Sequence, residues 1–333
     1  TREAAEPGIA DNSGRDAIWN KIRSVLHHHR RFPDAEWSLP GAVLDRLECI
    51  YNRFAPKDPI EKTAWLFHLS VKLPKPSTIG WEAEQRNVDV ARQQAAQDLY
   101  TKSGLLGILS LARQSEAAGY IGKALYDSRL PDEDVDALIE ASARSDDDRE
   151  RDIAHGLIVS YFRDRKQAWG AELIARARTG NWGQTALLAI LRALPSGRWI
   201  WDQVAQIGRD VEAAYWRSAP VQWMSDEDAV YAIRMLMRVG RARHALPIAS
   251  RSDNYEIPTA LLVEVLQETV KQPFDDRSDG ADNNEVPMFQ YFIEEILKSL
   301  YLREDVDRNV LIALEWSYLP VLEHSRQPAR ALL

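Results

Sequence analysis

His27, His28 and His29 form the densest run of potential metal ligands and proton carriers in this chain of 333 residues. Successive helical residues project about 100° apart, so three in a row cannot converge on one ion as histidines at i and i+4 do. The run therefore reads as a solvated helix face. His68, His155, His244 and His324 are scattered, and no H-E-x-x-H pair occurs. Asp275, Asp276, Asp279 and Asp282 approach the spacing of a calcium loop, but the D-x-D-x-D-G order and the closing glutamate are missing. Cys49, the single cysteine, sits beside Leu47 and Ile50 and reads as a buried, inert thiol. Phosphate-cradling glycine loops and nucleophile elbows are absent from the sequence. These observations predict no catalytic residue, no metal and no cofactor.

Tryptophan is the local anomaly. Of 11 in the chain, Trp169, Trp182, Trp199, Trp201, Trp216 and Trp223 fall within one segment, with Arg198, Arg209 and Arg217 among them. Large aromatics can simply fill gaps between short helices. Tryptophan and arginine are also the usual anchors of protein interfaces, so the same nine residues are the candidate partner-binding set. Just upstream, Arg149, Arg151, Arg163, Arg165, Lys166, Arg176 and Arg178 could form a basic stripe for nucleic acid. Asp148, Glu150, Asp152, Asp164 and Glu172 interleave with them and favour ion pairing on solvated helix sides instead.

The elements that must position these residues are helical. Apolar residues recur at three-to-four spacing from Ile18 to Leu322, and no segment alternates with period two between tight turns. Pro40, Asp58-Pro59 and Pro258 open helices, Pro74 and Pro76 mark a longer connection, and Gly240 closes a helix. Residues 81–100 carry few apolar positions and read as a water-facing strut. About seventeen helices near twelve residues long are expected, with short links. The predicted fold is all-α, an irregular α-solenoid of antiparallel helix pairs of HEAT or TPR type, with a compact multi-helical domain as the alternative. The expected organisation is a disordered tail at 1–13, a helical subdomain at 14–102 and a helical-pair array at 103–333. A mobile acidic loop is expected at 271–286.

Composition sets the outer bounds. Hydrophobic residues at 45% and charged residues at 28% suit a folded protein, and the net charge of −8 disfavours general nucleic-acid binding. One cysteine rules out an intrachain disulfide, and the sequence has no apolar run of membrane-spanning length, so a cytoplasmic protein is expected. The chain starts at Thr1 and ends in Ala331-Leu332-Leu333, which suggests a piece of a longer polypeptide.

The stretches VEAAYWRSAPVQWMSDEDAVYAIRMLMRVGRARHALPIA (211–249) and ALEWSYLPVLEHSRQPARAL (313–332) resemble helical regions of large bacterial multidomain, defence-type proteins. The resemblance rests on helix-pair texture over about a fifth of the chain. It implies sensing or scaffolding, with a protein or other domains of the same polypeptide as partner, and transfers no catalytic residue. The expected function is thus a noncatalytic helical-repeat interaction module. A nucleic-acid-binding HEAT-like protein, such as a DNA-repair glycosylase, is the alternative.

Overall fold

The computed structural model describes residues 12–220, 226–252, 256–272 and 285–322. Trp223, the aspartates at 275–282, His324 and nearly all of the expected tail and acidic loop lie outside the described residues. Among those described, the fold is all-α, with fifteen α-helices, one short 3₁₀ helix and no strand. The chain divides into two compact units, Thr1–Leu194 and Pro195–Leu333. The break expected after residue 102 is a kink inside the first unit. There Gly104 leaves helical geometry (φ 59°, ψ −155°) in mid-helix.

The first unit contains α1 (Asn12–Arg31), α2 (Gly41–Phe54), α3 (Pro59–Ala64), a 3₁₀ turn (Trp65–Phe67), α4 (Trp81–Gln114), α5 (Gly119–Asp127), α6 (Asp132–Ala143), α7 (Asp148–Thr179) and α8 (Gln184–Ala193). Local chemistry explains the starts. The Asp58 carboxylate accepts the Ile60 N–H at the head of α3, and Asp147 accepts the Arg149 and Glu150 N–H groups at the head of α7. Helix α7 breaks at Lys166 (φ 60°, ψ −158°), where the sequence passes from one apolar stripe to another.

Helices α1 and α2 pair over Trp19, Leu26, Leu44 and Tyr51, with Trp19 stacked on Tyr51 at 5.2 Å. This pairing corrects the reading of Cys49, which is exposed. Helix α2 buries Leu44 and Tyr51, and at about 100° per residue Cys49 lies about 140° round from Leu44. Much of 81–100 does face water, but it is not a bare strut. Glu84, Val88, Arg92, Ala96 and Leu99 form a buried stripe on α4, disguised because two of its five members are charged.

The crossing of α5 and α7 is built on glycine. A Cβ on Gly122 would stand 2.3 Å from the Ile153 carbonyl oxygen and 2.6 Å from the Leu157 nitrogen; one on Gly156 would stand 2.0 Å from the Gly119 oxygen. Backbone meets backbone, and neither helix can yield to a methyl group without moving as a whole.

The second unit contains α9 (Arg198–Ile207), α10 (Arg209–Trp216), α11 (Asp226–Arg238), α12 (Ala242–Ala249), α13 (Thr259–Val270), α14 (Glu285–Tyr301) and α15 (Arg308–Leu322). Helices adjacent in sequence pack on one another here, α9 with α10, α11 with α12, α12 with α13, α13 with α14 and α14 with α15. Buried Leu262, Val265, Ile296 and Leu300 belong to its core, and the buried Tyr318 hydroxyl donates to the Leu266 carbonyl at 2.7 Å.

Gly156→Ala is expected to destabilise the first unit by about 3 kcal/mol or more, because overpacking here falls on backbone rather than on a flexible side chain. Urea unfolding followed by circular dichroism measures it; an unchanged midpoint would show that the two helices are free to separate.

Candidate partner-binding site

The structure separates by burial the eight candidate residues it describes, Trp223 lying outside them. In the first unit, Trp169 is 7% exposed and stacks on Tyr161 at 5.6 Å, while Trp182 is half-buried. In the second unit, Trp201 and Trp216 are fully buried, 5.2 Å apart, and both lie against the ring of Tyr231. Arg198 covers that ring at 4.5 Å and pairs with Asp202 at 3.0 Å. Trp199 is half-buried, and Arg209 and Arg217 are exposed. Trp169, Trp201 and Trp216 therefore act as core, and burial leaves them no face for a partner. The arginines upstream are largely paired too: Arg165 with Asp132 at 2.7 Å, Arg176 with Asp136, and Arg151 with Asp148. Most of these pairs join different helices.

Of the exposed large apolar side chains, three fall close together in sequence at another place. Leu69 is 70% exposed, Ile79 90% and Trp81 72%, and Leu69 and Trp81 border a groove of about 200 Å³ floored by Val88, Arg92 and Tyr120. All three come from, or directly follow, the irregular strap 68–80 between the 3₁₀ turn and α4. A segment without regular structure ordinarily moves; this one is tied down from every side.

Arg92, 3% exposed, donates through Nε to the Leu66 carbonyl at 2.7 Å and through a terminal nitrogen to the His68 carbonyl at 2.9 Å. Its guanidinium lies 3.8 Å over the Tyr120 ring, and burial draws its pKa below the usual arginine value, opposed by Tyr120 and Asp89. The Leu69 N–H donates to Glu116 Oε2 at 3.2 Å, and the Ser77 N–H donates to Glu84 Oε2. From α1, His27 Nδ1 lies 3.0 Å from the Leu73 carbonyl and Arg30 donates to the Pro74 carbonyl at 3.2 Å. From α2, Glu48 holds Lys75 at 2.8 Å and Arg30 at 2.7 Å. The hydrogen bonds from Lys75 and Arg30 hold the Glu48 carboxyl below the ordinary carboxylate range.

Arg31, at the groove wall, has no ion-pair partner among the described residues, and neither has Lys72, on the strap. The surface thus offers apolar side chains with positive charge next to them. The sequence marked this connection only by Pro74 and Pro76. Leu69, Ile79 and Trp81 were not singled out because their exposure depends on clamps that are distant in sequence.

Among the described residues, no helix is long and apolar enough to cross a membrane, and no group of three or more His, Cys, Asp and Glu side chains could hold a metal ion. Compared with protein-family models, curated proteins and solved structures, the chain matches none.

Arg92→Met is expected to cost about 3 kcal/mol, since the Leu66 and His68 carbonyls lose a charged donor inside the protein. Urea denaturation reads the loss, and a variant within about 0.5 kcal/mol of the parent would show that the clamp is dispensable. The Glu48 contribution is complete above the ordinary carboxylate pKa and disappears as pH falls through the lowered one. Melting of the parent against Glu48→Gln should therefore show the parent ahead at neutral pH and the gap closing in acid; a gap independent of pH would contradict the assignment.

Proposed function

We propose that this chain is a noncatalytic helical interaction module that holds a partner protein on the groove beside Leu69, Ile79 and Trp81. The observation that carries the reading is the combination of three largely exposed apolar side chains with a strap pinned by Arg92, Glu84, Glu116, Arg30 and Glu48. Large apolar side chains on mobile backbone lose entropy when a partner orders them, whereas a pinned display has already met that cost on folding. Tryptophan is a frequent anchor of binding energy.

The occupant that fits is a protein segment carrying apolar side chains next to a carboxylate, because Arg31 stands without an ion-pair partner at the groove wall and Lys72 lies on the same strap as Leu69. The finer fold in this reading is an irregular HEAT-like array of antiparallel pairs, supported by the packing of chain-adjacent helices. The module would serve as the recognition part of a larger bacterial protein, as its helix-pair texture implies.

The test compares the parent with Leu69→Asp/Trp81→Ala, both positions being exposed enough to leave folding intact. A partner retained by the parent is purified and titrated calorimetrically against both chains. The reading expects at least about 30-fold weaker binding to the variant, the equivalent of losing one anchor of about 2 kcal/mol, with an unchanged melting temperature. Equal affinity for both chains would remove the groove from the interface.

A further inference from the structure

A second cleft, of about 550 Å³, lies between the C-terminal end of α5 and the break in α7. Tyr126, Asp127, Arg129, Tyr161, Arg163 and Asp164 are among its lining residues. Its volume falls within the range of small-molecule sites, roughly 300–1,000 Å³.

The backbone here is unusual. Three non-glycine residues have positive φ among those described, and two of them belong to this region: Arg129 at 53° in the turn after α5, and Lys166 at 60° in the break of α7. With ψ at −158°, Lys166 occupies a region that is nearly glycine's alone. Glycine would relieve the strain at both positions, yet both carry long cations.

The charges around the cleft identify these two cations as the unspent ones. Asp127 pairs with Lys123 at 2.9 Å. Asp164 accepts the Tyr126 hydroxyl and has Arg163 at 3.6 Å. Asp132 takes two donors from Arg165, at 2.7 and 3.3 Å. Each of these carboxylates thus has a cation beside it, Lys123 being shared between Asp127 and Asp89, and the side chains of Arg129 and Lys166 have no hydrogen-bond or ion-pair partner among the described residues. Lys166 does not itself line the cleft; it directly follows Arg165, which does, and its charge acts on Asp164 in the cleft wall.

We propose that this cleft binds a small phosphorylated ligand, with Arg129 and Lys166 supplying charge to the phosphoryl oxygens and Arg163 standing at the wall. A phosphate monoester carries roughly two negative charges near neutral pH, matching two free cations, and a guanidinium fork is suited to its oxygens. A carboxylate would leave one cation unmatched. This site is separate from the partner groove and does not depend on it.

The test titrates the full chain with inorganic pyrophosphate by calorimetry, beside Arg129→Gly and Lys166→Gly. Glycine removes the cation and accepts the backbone angle, so the variants should fold with a melting temperature equal to or above that of the parent. The proposal expects saturable binding by the parent, weakened at least about tenfold in each variant, the effect of losing one charge-assisted contact. Absence of pyrophosphate binding to the parent overturns it, as does equal binding by the stable glycine variants. Binding of a single-stranded oligonucleotide without binding of pyrophosphate also overturns it, in favour of a nucleic-acid surface.

Discussion

The backbone contact between α5 and α7 is the constraint on which the first unit depends. Gly119, Gly122 and Gly156 let two helices approach until main-chain atoms touch, with no side chain between them to absorb a shift. Fixing α5 in this way fixes both of its ends. At its N-terminal end, Tyr120 lies under the Arg92 guanidinium, and just before it Glu116 holds Leu69 while the Ala117 N–H donates to the Phe67 carbonyl at 2.9 Å. At its C-terminal end, Tyr126, Asp127 and Arg129 form one wall of the cleft opposite the break in α7. One small helix of nine residues thus sets the geometry of the groove and of the cleft.

The two surfaces are held by different means. Around the strap, side chains from α1, α2, α4 and the turn before α5 hydrogen-bond to backbone groups or pair with Lys75 of the strap, and an irregular segment gains the rigidity that secondary structure would otherwise supply. Around the cleft, neighbouring helices exchange ion pairs, and the backbone tolerates left-handed geometry at two cationic residues. The first arrangement displays apolar area, the second displays charge. Neither draws on the buried aromatic cluster of the second unit, where Trp201, Trp216 and Tyr231 serve as packing.

The helical fold was legible because apolar periodicity is local. The break at Gly104 falls beside the boundary expected after residue 102, where the polar stretch 81–100 gives way to a more apolar one. The face a residue presents was harder to read. Cys49 adjoins apolar neighbours in sequence but lies across α2 from Leu44 and Tyr51. Arg92 and Glu84 look like solvated charges on a polar helix until the strap is laid over them. Tryptophan density located an aromatic core, whereas the exposed Trp81, like Trp37 and Trp316, lies outside that dense segment and carried no compositional signal. Burial and exposure here follow from pairings across tens of residues, which a local pattern does not encode.

The central claim is that the strap is held rigid to display Leu69, Ile79 and Trp81, and amide hydrogen exchange of the free protein tests it most directly. If the clamps hold, the Leu69 and Ser77 amides exchange far more slowly than in an unstructured peptide, despite lying outside any helix, and lose that protection when Arg92 is replaced. Exchange across 68–80 at the rate of an unstructured peptide would contradict the account, because a freely moving strap could not present a preformed surface.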